Sequence, residues 1–538
     1  MSSTMLPATM GARHRSRRYS LRRLAAWLVA AATDRHEASA LVLGFAAIHA
    51  LLWTVILTNL KAAQDVHMDV AEAFAWGQKF QLGYGKHPPL AGWVAGLWFK
   101  VFPVSDWATY LLAMTTLACG LVICWFIARR VVDYRRAFFV VVMLAIYPIF
   151  NFKGFKYNPD LLQLVTLPLL VLAYLNAFEK RSVRSGILLG LAGALALMTK
   201  YWVLTMIGAV GLAALLHPDR MKFLRSPAPW VAIAVAILAM IPHLMWLKSV
   251  DFVPLTYAGD VYGHFTRAQT AMLALGYLEH NLGLLALPVL LAGLAIVGKR
   301  LLRQPRAALA RDWSREADSS VNLPQAINVW IIQIIVAVGP PLGGLIFSVY
   351  MKTDWGISLF FLTPLALVAI PRLRLPAIAL FRLTVIWLVL SLATLAASPS
   401  IALHEITDNP SSGFVYGARG QLARDLTQEW QARFRTRWSV VAGTTEIGEP
   451  MTFYSPDHPA PLTPGEIWSS GLTSLAEAKR LGFIGICDTT DNRLVECEAW
   501  MAKNAHDAEK LAVTTQRFFK GHPGPPITWK VFIEPPAK

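Results

Sequence analysis

The stretch His67-Met68-Asp69-Val70-Ala71-Glu72-Ala73-Phe74-Ala75-Trp76, continued by Gly83-Tyr84-Gly85-Lys86-His87-Pro88-Pro89-Leu90, follows the first long apolar run of the chain. It is acidic, then basic, then stiffened by two prolines. Asp69 and Glu72 are three residues apart, so a helix would place both carboxylates on one face. Pro88 and Pro89 restrict the backbone around them, which would fix His87 relative to those carboxylates. Ionisable groups packed this densely beside an apolar run read as a loop at a membrane surface that carries chemistry.

The whole chain supports a membrane setting. Of its 538 residues, 55% are hydrophobic and 15% charged, and the mean hydropathy is +0.46. That is too apolar for a soluble protein of this size, and several runs reach the ~20 apolar residues that cross a bilayer as helix. The formal net charge is +17, yet residues 399–538 hold 14 Lys/Arg against 16 Asp/Glu, so the whole excess lies before them. It comes in short clusters between apolar runs, which argues against nucleic acid as a partner. The N-terminus is basic, with Arg13, Arg15, Arg17, Arg18, Arg22 and Arg23 ahead of the first run. That run is too long for a signal-peptide core, and no small-residue cleavage site ends it, so it reads as a retained span.

In chain order, residues 1–38 form a basic segment expected in the cytoplasm, with an amphipathic helix around 21–32. Span one is expected at about 39–57. Residues 58–106 make a long outside loop with two interfacial helices, 69–80 and 90–102. Further spans are expected at about 107–127, 137–152, 161–177, 187–198, 202–216, 230–247, 282–297, 329–350, 357–370 and 377–396. About eleven spans put the dense Arg/Lys clusters, such as Arg129, Arg130, Arg135 and Arg136, on one side, as the positive-inside rule demands. The transmembrane domain is thus 39–398, with the N-terminus inside. Residues 399–538 read as a small α/β domain outside, with a helix over 420–434 and strands at 438–442, 483–487 and 528–533. Cys487 and Cys497 lie in this tail. They fit either a disulfide worth ~2–4 kcal/mol in an exported domain or two free thiols. Cys119 and Cys124 lie in an apolar run and read as packing residues.

The outside loops break the charge pattern. Lys86, Lys153, Lys156, Lys200, Lys248, Arg267 and Lys352 fall where basic residues should be scarce, together with Asp69, Glu72, Asp160, Asp251, Asp260 and Asp354. Ionisable groups near membrane depth are costly and tend to be functional. For one lysine, interfacial solvation is explanation enough; for a set recurring at the same end of successive spans it is not. Transfer of a sugar from a lipid phosphate fits such a set. The acceptor hydroxyl must lose a proton, which suits a carboxylate, and the departing phosphate must be neutralised, which suits lysines, a helix N-terminus or a divalent cation. The alternative reading is a transporter or flippase of a lipid-linked sugar, which would centre its charges mid-span on broken helices in related repeats.

Glu72-Ala73-Phe74-Ala75-Trp76, Leu82-Gly83-Tyr84 and His87-Pro88-Pro89-Leu90 together resemble the first loop of bacterial members of the dolichyl-phosphate-mannose protein mannosyltransferase superfamily. These are GT-C glycosyltransferases, glycosyltransferase family 39 and its aminoarabinose-transferase relatives. Asn158-Pro159-Asp160 resembles the family's second-loop acidic motif, and Thr199-Lys200-Tyr201 its basic turn after the fifth span. The resemblance covers most of the chain and is strongest from about Asp69 to Trp246. It implies a polytopic α-helical GT-C fold and an inverting transferase in the bacterial inner membrane, with a periplasmic C-terminal domain. The donor would be a polyprenyl-phosphate sugar, and the acceptor an envelope glycolipid (lipid A among them), a polysaccharide, another lipid or a protein.

The family's first loop carries adjacent Asp-Glu with the Asp as proposed base, whereas here Ala71 precedes Glu72 and the nearest acid is Asp69. The resemblance therefore leaves the base between Asp69, which we favour, and Glu72. Asp160 takes the place of the second carboxylate. Lys86 and His87 stand where relatives have an acidic-basic pair before proline; with Lys200 and Arg267 they are the candidates for the donor phosphate. Should Mg, Mn or Zn take part, Glu72 and Asp160 are its candidate ligands. His264, Asp354 and Trp355 are weaker site candidates. A helix N-terminal charge for Glu72 and an N-cap for Asp160 are the plain structural alternatives.

Overall fold

A backbone in lipid must satisfy its own hydrogen bonds, so long apolar runs become helices. The computed structural model describes residues 9–262, 265–298, 321–408, 417–465 and 472–537. Its helices up to the last apolar run are α1 (Thr9–Thr33), α2 (Glu37–Leu60), α3 (Met68–Gly77), α4 (Leu90–Trp98), α5 (Asp106–Val131), α6 (Tyr134–Ile146), α7 (Pro159–Lys180), α8 (Val183–Leu197), α9 (Leu204–Leu216), α10 (Arg220–Leu224), α11 (Pro227–Ser249), α12 (Val253–Tyr262), α13 (Arg267–Val297), α14 (Leu323–Phe347), α15 (Thr363–Val368) and α16 (Ala377–Thr407). Among the described residues, seven of these, α2, α5, α7, α11, α13, α14 and α16, are long and apolar enough to cross a membrane. The other four expected spans appear as shorter or broken helices: α6 with the segment Pro148–Phe155, α8, Tyr201–Leu216, and Thr353–Val368.

One end of the bundle gathers the basic loops. Arg130 lies 2.7 Å from Glu179, the Arg136 guanidinium donates to the Leu373 carbonyl at 2.9 Å, and the Asn322 N–H donates to Val131 at 2.8 Å. The first loop, the 151–158 segment, the Thr199-Lys200 turn and the start of Thr353–Leu362 meet at the other end. Midway, His49 on α2 sits fully buried between Trp387 of α16, whose indole N–H donates to Nδ1 at 3.1 Å, and the Phe150 carbonyl 2.6 Å from Nε2. These two contacts put the proton on Nε2.

The third expected span is broken for a readable reason. Pro148 has no N–H to continue the ladder of α6, and the chain bends by 80° there. The Asn151 side chain then donates to the carbonyls of Ala145 and Tyr147 at 3.0 and 3.1 Å. The bend carries Lys153 and Lys156 toward α3. A second proline behaves otherwise. The expected domain boundary at 398/399 falls inside α16, which continues through Pro399 to Thr407. The Leu395 carbonyl that Pro399 cannot reach accepts the Ser398 hydroxyl at 2.9 Å, so the helix need not end.

The C-terminal domain is α/β, as expected. It contains α17 (Arg419–Phe434), β1 (Val440–Ala442), α18 (Thr445–Tyr454), β2 (Ala460–Leu462), α19 (Leu475–Leu481), β3 (Phe483–Asp488), α20 (Leu494–Asn504), β4 (Glu509–Phe519) and β5 (His522–Glu534). The strands form one sheet in the order β2-β1-β3-β5-β4. The first three are parallel, and β5 and β4 add antiparallel. Its core holds the buried indoles of Trp430, Trp438 and Trp529. Cys487 of β3 and Cys497 of α20 are joined in a disulfide.

The first loop is a helical hairpin whose two arms nearly touch. A Cβ on Gly96 of α4 would lie 2.5 Å from the Gly77 carbonyl oxygen of α3, and a Cβ on Gly77 would lie 2.5 Å from the Gly96 nitrogen. Gly96→Ala should therefore push the arms apart at a cost of ~1–3 kcal/mol, read as a lower melting temperature in detergent. Gly193→Ala, where no atom lies within 4 Å of the added Cβ, should leave the melting temperature unchanged.

Candidate active site

The site begins at the cap of α3. His67 Nδ1 accepts the Asp69 backbone N–H at 3.2 Å, so an imidazole takes the role usually filled by Ser, Thr or Asp. Asp69 thus lies in the first turn, with Glu72 beyond it. Despite their shared face, the two carboxylates have different partners. Glu72 is buried, with Lys86 Nζ 2.6 Å away. Asp69 accepts from the Asn158 amide at 2.8 Å and lies 3.5 Å from Lys156 Nζ. The helix N-terminal role thus falls to Asp69.

Asn158, Pro159 and Asp160 divide three tasks. Asn158 is the N-cap of α7, its Oδ1 accepting the Leu161 N–H at 2.9 Å. Pro159 opens the helix, where its missing N–H costs nothing. Asp160 is therefore not the cap. Both its oxygens accept from Lys200 Nζ, at 2.7 and 2.8 Å, and Gln163 adds a bond at 3.0 Å. Lys200 also lies 5.3 Å from the centre of the Trp355 ring. The Leu90 N–H donates to the Met198 carbonyl at 3.0 Å, which fixes the Lys86-His87-Pro88-Pro89 turn beside Lys200.

These surroundings set the charges. Burial pushes the Asp69 carboxyl up, but His67, Lys156, Asn158 and Lys86 outweigh it and hold the group below the usual carboxylate range. Burial keeps the His67 imidazole below its own usual value, so at neutral pH the lasting positive charges near Asp69 are Lys156 and Lys86. Burial opposes the charge on Lys86 too, yet Glu72 and then Tyr257 raise it above the usual lysine range. His87 is driven well below the usual imidazole range by burial, then by Lys200 and Lys86. The site therefore holds an anionic Asp69 and a neutral His87 across the physiological range.

A cavity of about 230 Å³ opens between α3, the 151–158 segment and the Thr353–Leu362 helix. Three carboxylates, Asp69, Asp160 and Asp354, and three lysines, Lys153, Lys156 and Lys352, line it, with Trp355 beside them. Of the site candidates singled out from the sequence, Asp69, Asp160, Asp354 and Trp355 thus share one cavity. Glu72, Lys86, His87 and Lys200 are not in its lining; Lys200 stands behind it on Asp160. Arg267 is exposed in the first turn of α13 and does not line it either. His264 lies outside the described residues. The sequence marked Lys153, Lys156 and Lys352 only as misplaced charges. It did not single out His280, whose Nε2 is 3.3 Å from Asp354, because that pairing crosses 74 residues.

A family model described as dolichyl-phosphate-mannose-protein mannosyltransferase matches residues 86–246, which include Lys86, His87, Asp160 and Lys200. The crystal structure of ArnT from Cupriavidus metallidurans bound to undecaprenyl phosphate has the same fold, with a TM-score of 0.55 at 13% identity over 92% of this chain and 98% of that one. The chain is thus a multi-pass membrane protein with the fold of that structure.

Among individual proteins, it is similar to the lipid A galacturonosyltransferase RgtD of Rhizobium johnstonii, with 27% identity over 41% of this chain and 45% of that one. The lipopolysaccharide core galacturonosyltransferase RgtB of the same organism is 22% identical over 60% of this chain and 63% of its own. The chain thus spans about half the length of these curated relatives.

Removing the Lys156 charge should raise the Asp69 pKa. In Lys156→Met the Asp69 carboxyl band, identified by its loss in Asp69→Asn, should titrate at higher pH in difference infrared spectra. An unmoved band would show that Lys156 does not act on it.

Proposed function

We propose that this chain transfers a sugar from a polyprenyl-phosphate donor to an acceptor hydroxyl, with Asp69 as the general base. The observation that carries this reading is the single cavity in which an anionic Asp69 faces three lysines. In one displacement, the acceptor oxygen attacks the anomeric carbon and gives its proton to Asp69. The bond from that carbon to the phosphate oxygen breaks on the opposite face, and the lipid phosphate departs with the electron pair. The anomeric configuration inverts. Lys153, Lys156 and Lys352 meet the phosphate's developing charge. Lys86, His87, Lys200 and Arg267 do not reach this lining, so the direct phosphate role passes from them to these three.

A bound donor also prepares the base. Its phosphate draws Lys156 from Asp69 and adds negative charge nearby, and both changes raise the proton affinity of the carboxylate. Glu72 supports the loop through Lys86, and Asp160 is held by Lys200. A divalent cation does not fit these donors: Glu72 and Asp160 each hold a lysine ammonium, and among the described residues no three His, Cys, Asp or Glu side chains cluster as metal ligands. We therefore derive the reaction without one.

The relatives named for galacturonate transfer to lipid A and core support a uronic acid as the sugar and a lipopolysaccharide acceptor. The cavity's charge favours the same choice. Lys200 already neutralises Asp160, which leaves the lysines of the lining in excess and suits a donor that is anionic at both phosphate and sugar. The distribution of basic loops supports an N-terminus in the cytoplasm, with the site and the C-terminal domain in the periplasm.

The test is reconstitution in proteoliposomes with undecaprenyl-phosphate galacturonate and lipid A. The expected product is lipid A heavier by one uronic acid, formed also in the presence of EDTA. Asp69→Asn should lower the rate by ~10²–10⁴ while leaving the protein folded. Absence of product, or a wild-type rate in Asp69→Asn, would overturn the reading. For topology, a membrane-impermeant thiol reagent should label Lys503→Cys in intact spheroplasts and not Arg184→Cys.

A further inference from the structure

The five residues that lead into the base, Asp65-Val66-His67-Met68-Asp69, run between the membrane domain and the C-terminal domain, and the C-terminal domain grips them at two consecutive positions. Asp65 is held first. Its side chain is 1% exposed. One oxygen accepts from the Arg517 guanidinium at 2.8 Å, and the other accepts the Arg419 backbone N–H at 3.1 Å with the Arg419 guanidinium 3.5 Å away. Arg517 donates at the same time to the Ala62 carbonyl at 3.0 Å, so one side chain spans both ends of this turn. Arg419 is itself buried and anchored, donating through Nε to the Glu446 carbonyl at 3.1 Å. A carboxylate this deep persists only because both its oxygens are paired.

Val66 is held next. Its backbone N–H donates to the Tyr454 hydroxyl at 2.6 Å, and that hydroxyl donates to Asp106 at 3.1 Å. Asp106 is the first residue of α5. Tyr454 therefore ties the entrance of the first loop to its exit. The residue before it, Phe453, packs edge-on against Phe74 of α3 at 5.5 Å and against Phe99, just after α4, at 6.0 Å. On the other side of the stretch, His67 caps α3 on the Asp69 N–H, and the Asp69 carboxylate meets Asn158 and Lys156.

We propose that the C-terminal domain positions the catalytic base: Tyr454, Arg419 and Arg517 fix the backbone at Asp65–Val66 and thereby set where the Asp69 carboxylate stands relative to Asn158, Lys156 and the cavity. This role rests on Asp69 being the base. The three residues are positioning residues, since none of them lines the cavity. Their effect travels through four residues of chain, two of them in the cap and first turn of α3. Freed at Val66, α3 can shift along its axis while the rest of the bundle keeps its packing.

The experiment compares Tyr454→Phe, Arg517→Met and Arg517→Lys with wild type in the reconstituted transfer from undecaprenyl-phosphate galacturonate, with Lys503→Ala as an exposed control on the same domain. Tyr454→Phe keeps the ring and loses only the shared hydroxyl. A displacement of ~1 Å in a reacting group costs up to ~10²-fold, so Tyr454→Phe and Arg517→Met should lower kcat ~10–100-fold with donor KM changed less than ~3-fold. Arg517→Lys, which keeps the charge on Asp65, should recover most of that loss. A folded Tyr454→Phe with wild-type kcat, beside an inactive Asp69→Asn, overturns the coupling and leaves the base intact. A fully active Asp69→Asn removes the base, and this role with it. Should Arg517→Met not fold, Tyr454→Phe decides alone.

Discussion

The amide of Asn158 holds the two halves of the site together. Its oxygen caps α7 and its nitrogen holds Asp69, 89 residues away in the chain. No other orientation of the amide works, because a flip would set an NH₂ against the Leu161 N–H and an oxygen against a carboxylate. The start of α7 and the start of α3 are thus fixed to one another by a side chain that both helices need. Asp160, two residues further on, is brought to the same cavity by that cap.

Charge pairing explains the rest of the site end. An isolated carboxylate near lipid would be costly, and three of them are each answered by a lysine: Glu72 by Lys86, Asp160 by Lys200, Asp69 by Lys156. Two of these pairs are short and complete. The third is looser at 3.5 Å and faces the cavity. On the proposed mechanism, that difference leaves Asp69 free to exchange its partner for a substrate while Glu72 and Asp160 keep theirs. It also separates Asp69 from Glu72, which the loop motif alone leaves as rivals.

The C-terminal domain belongs to the same design. It is joined to the bundle by a helix that does not stop at the end of its apolar run, since Ser398 takes up the carbonyl that Pro399 leaves. It returns to the first loop through Asp65, Val66 and the aromatic contacts of Phe453. Asp69, the proposed base, therefore stands between the bundle and the sheet domain.

Much of this was legible in the chain by itself. Apolar run length fixes where helices lie, because lipid offers the backbone no other hydrogen-bond partner, and each of the eleven expected spans has its helix. The loop hairpin, the α/β tail and the acidic and basic residues at one end follow from spacing and charge. Four spans came out short or bent; after α6 the cause is Pro148, which bends the chain without lowering its hydropathy. Which lysine answers which carboxylate was decided only in the folded structure. Ion pairs such as Lys156 with Asp69 join residues far apart in the chain, and their distances, not their sequence positions, decide which carboxylate keeps a loose partner.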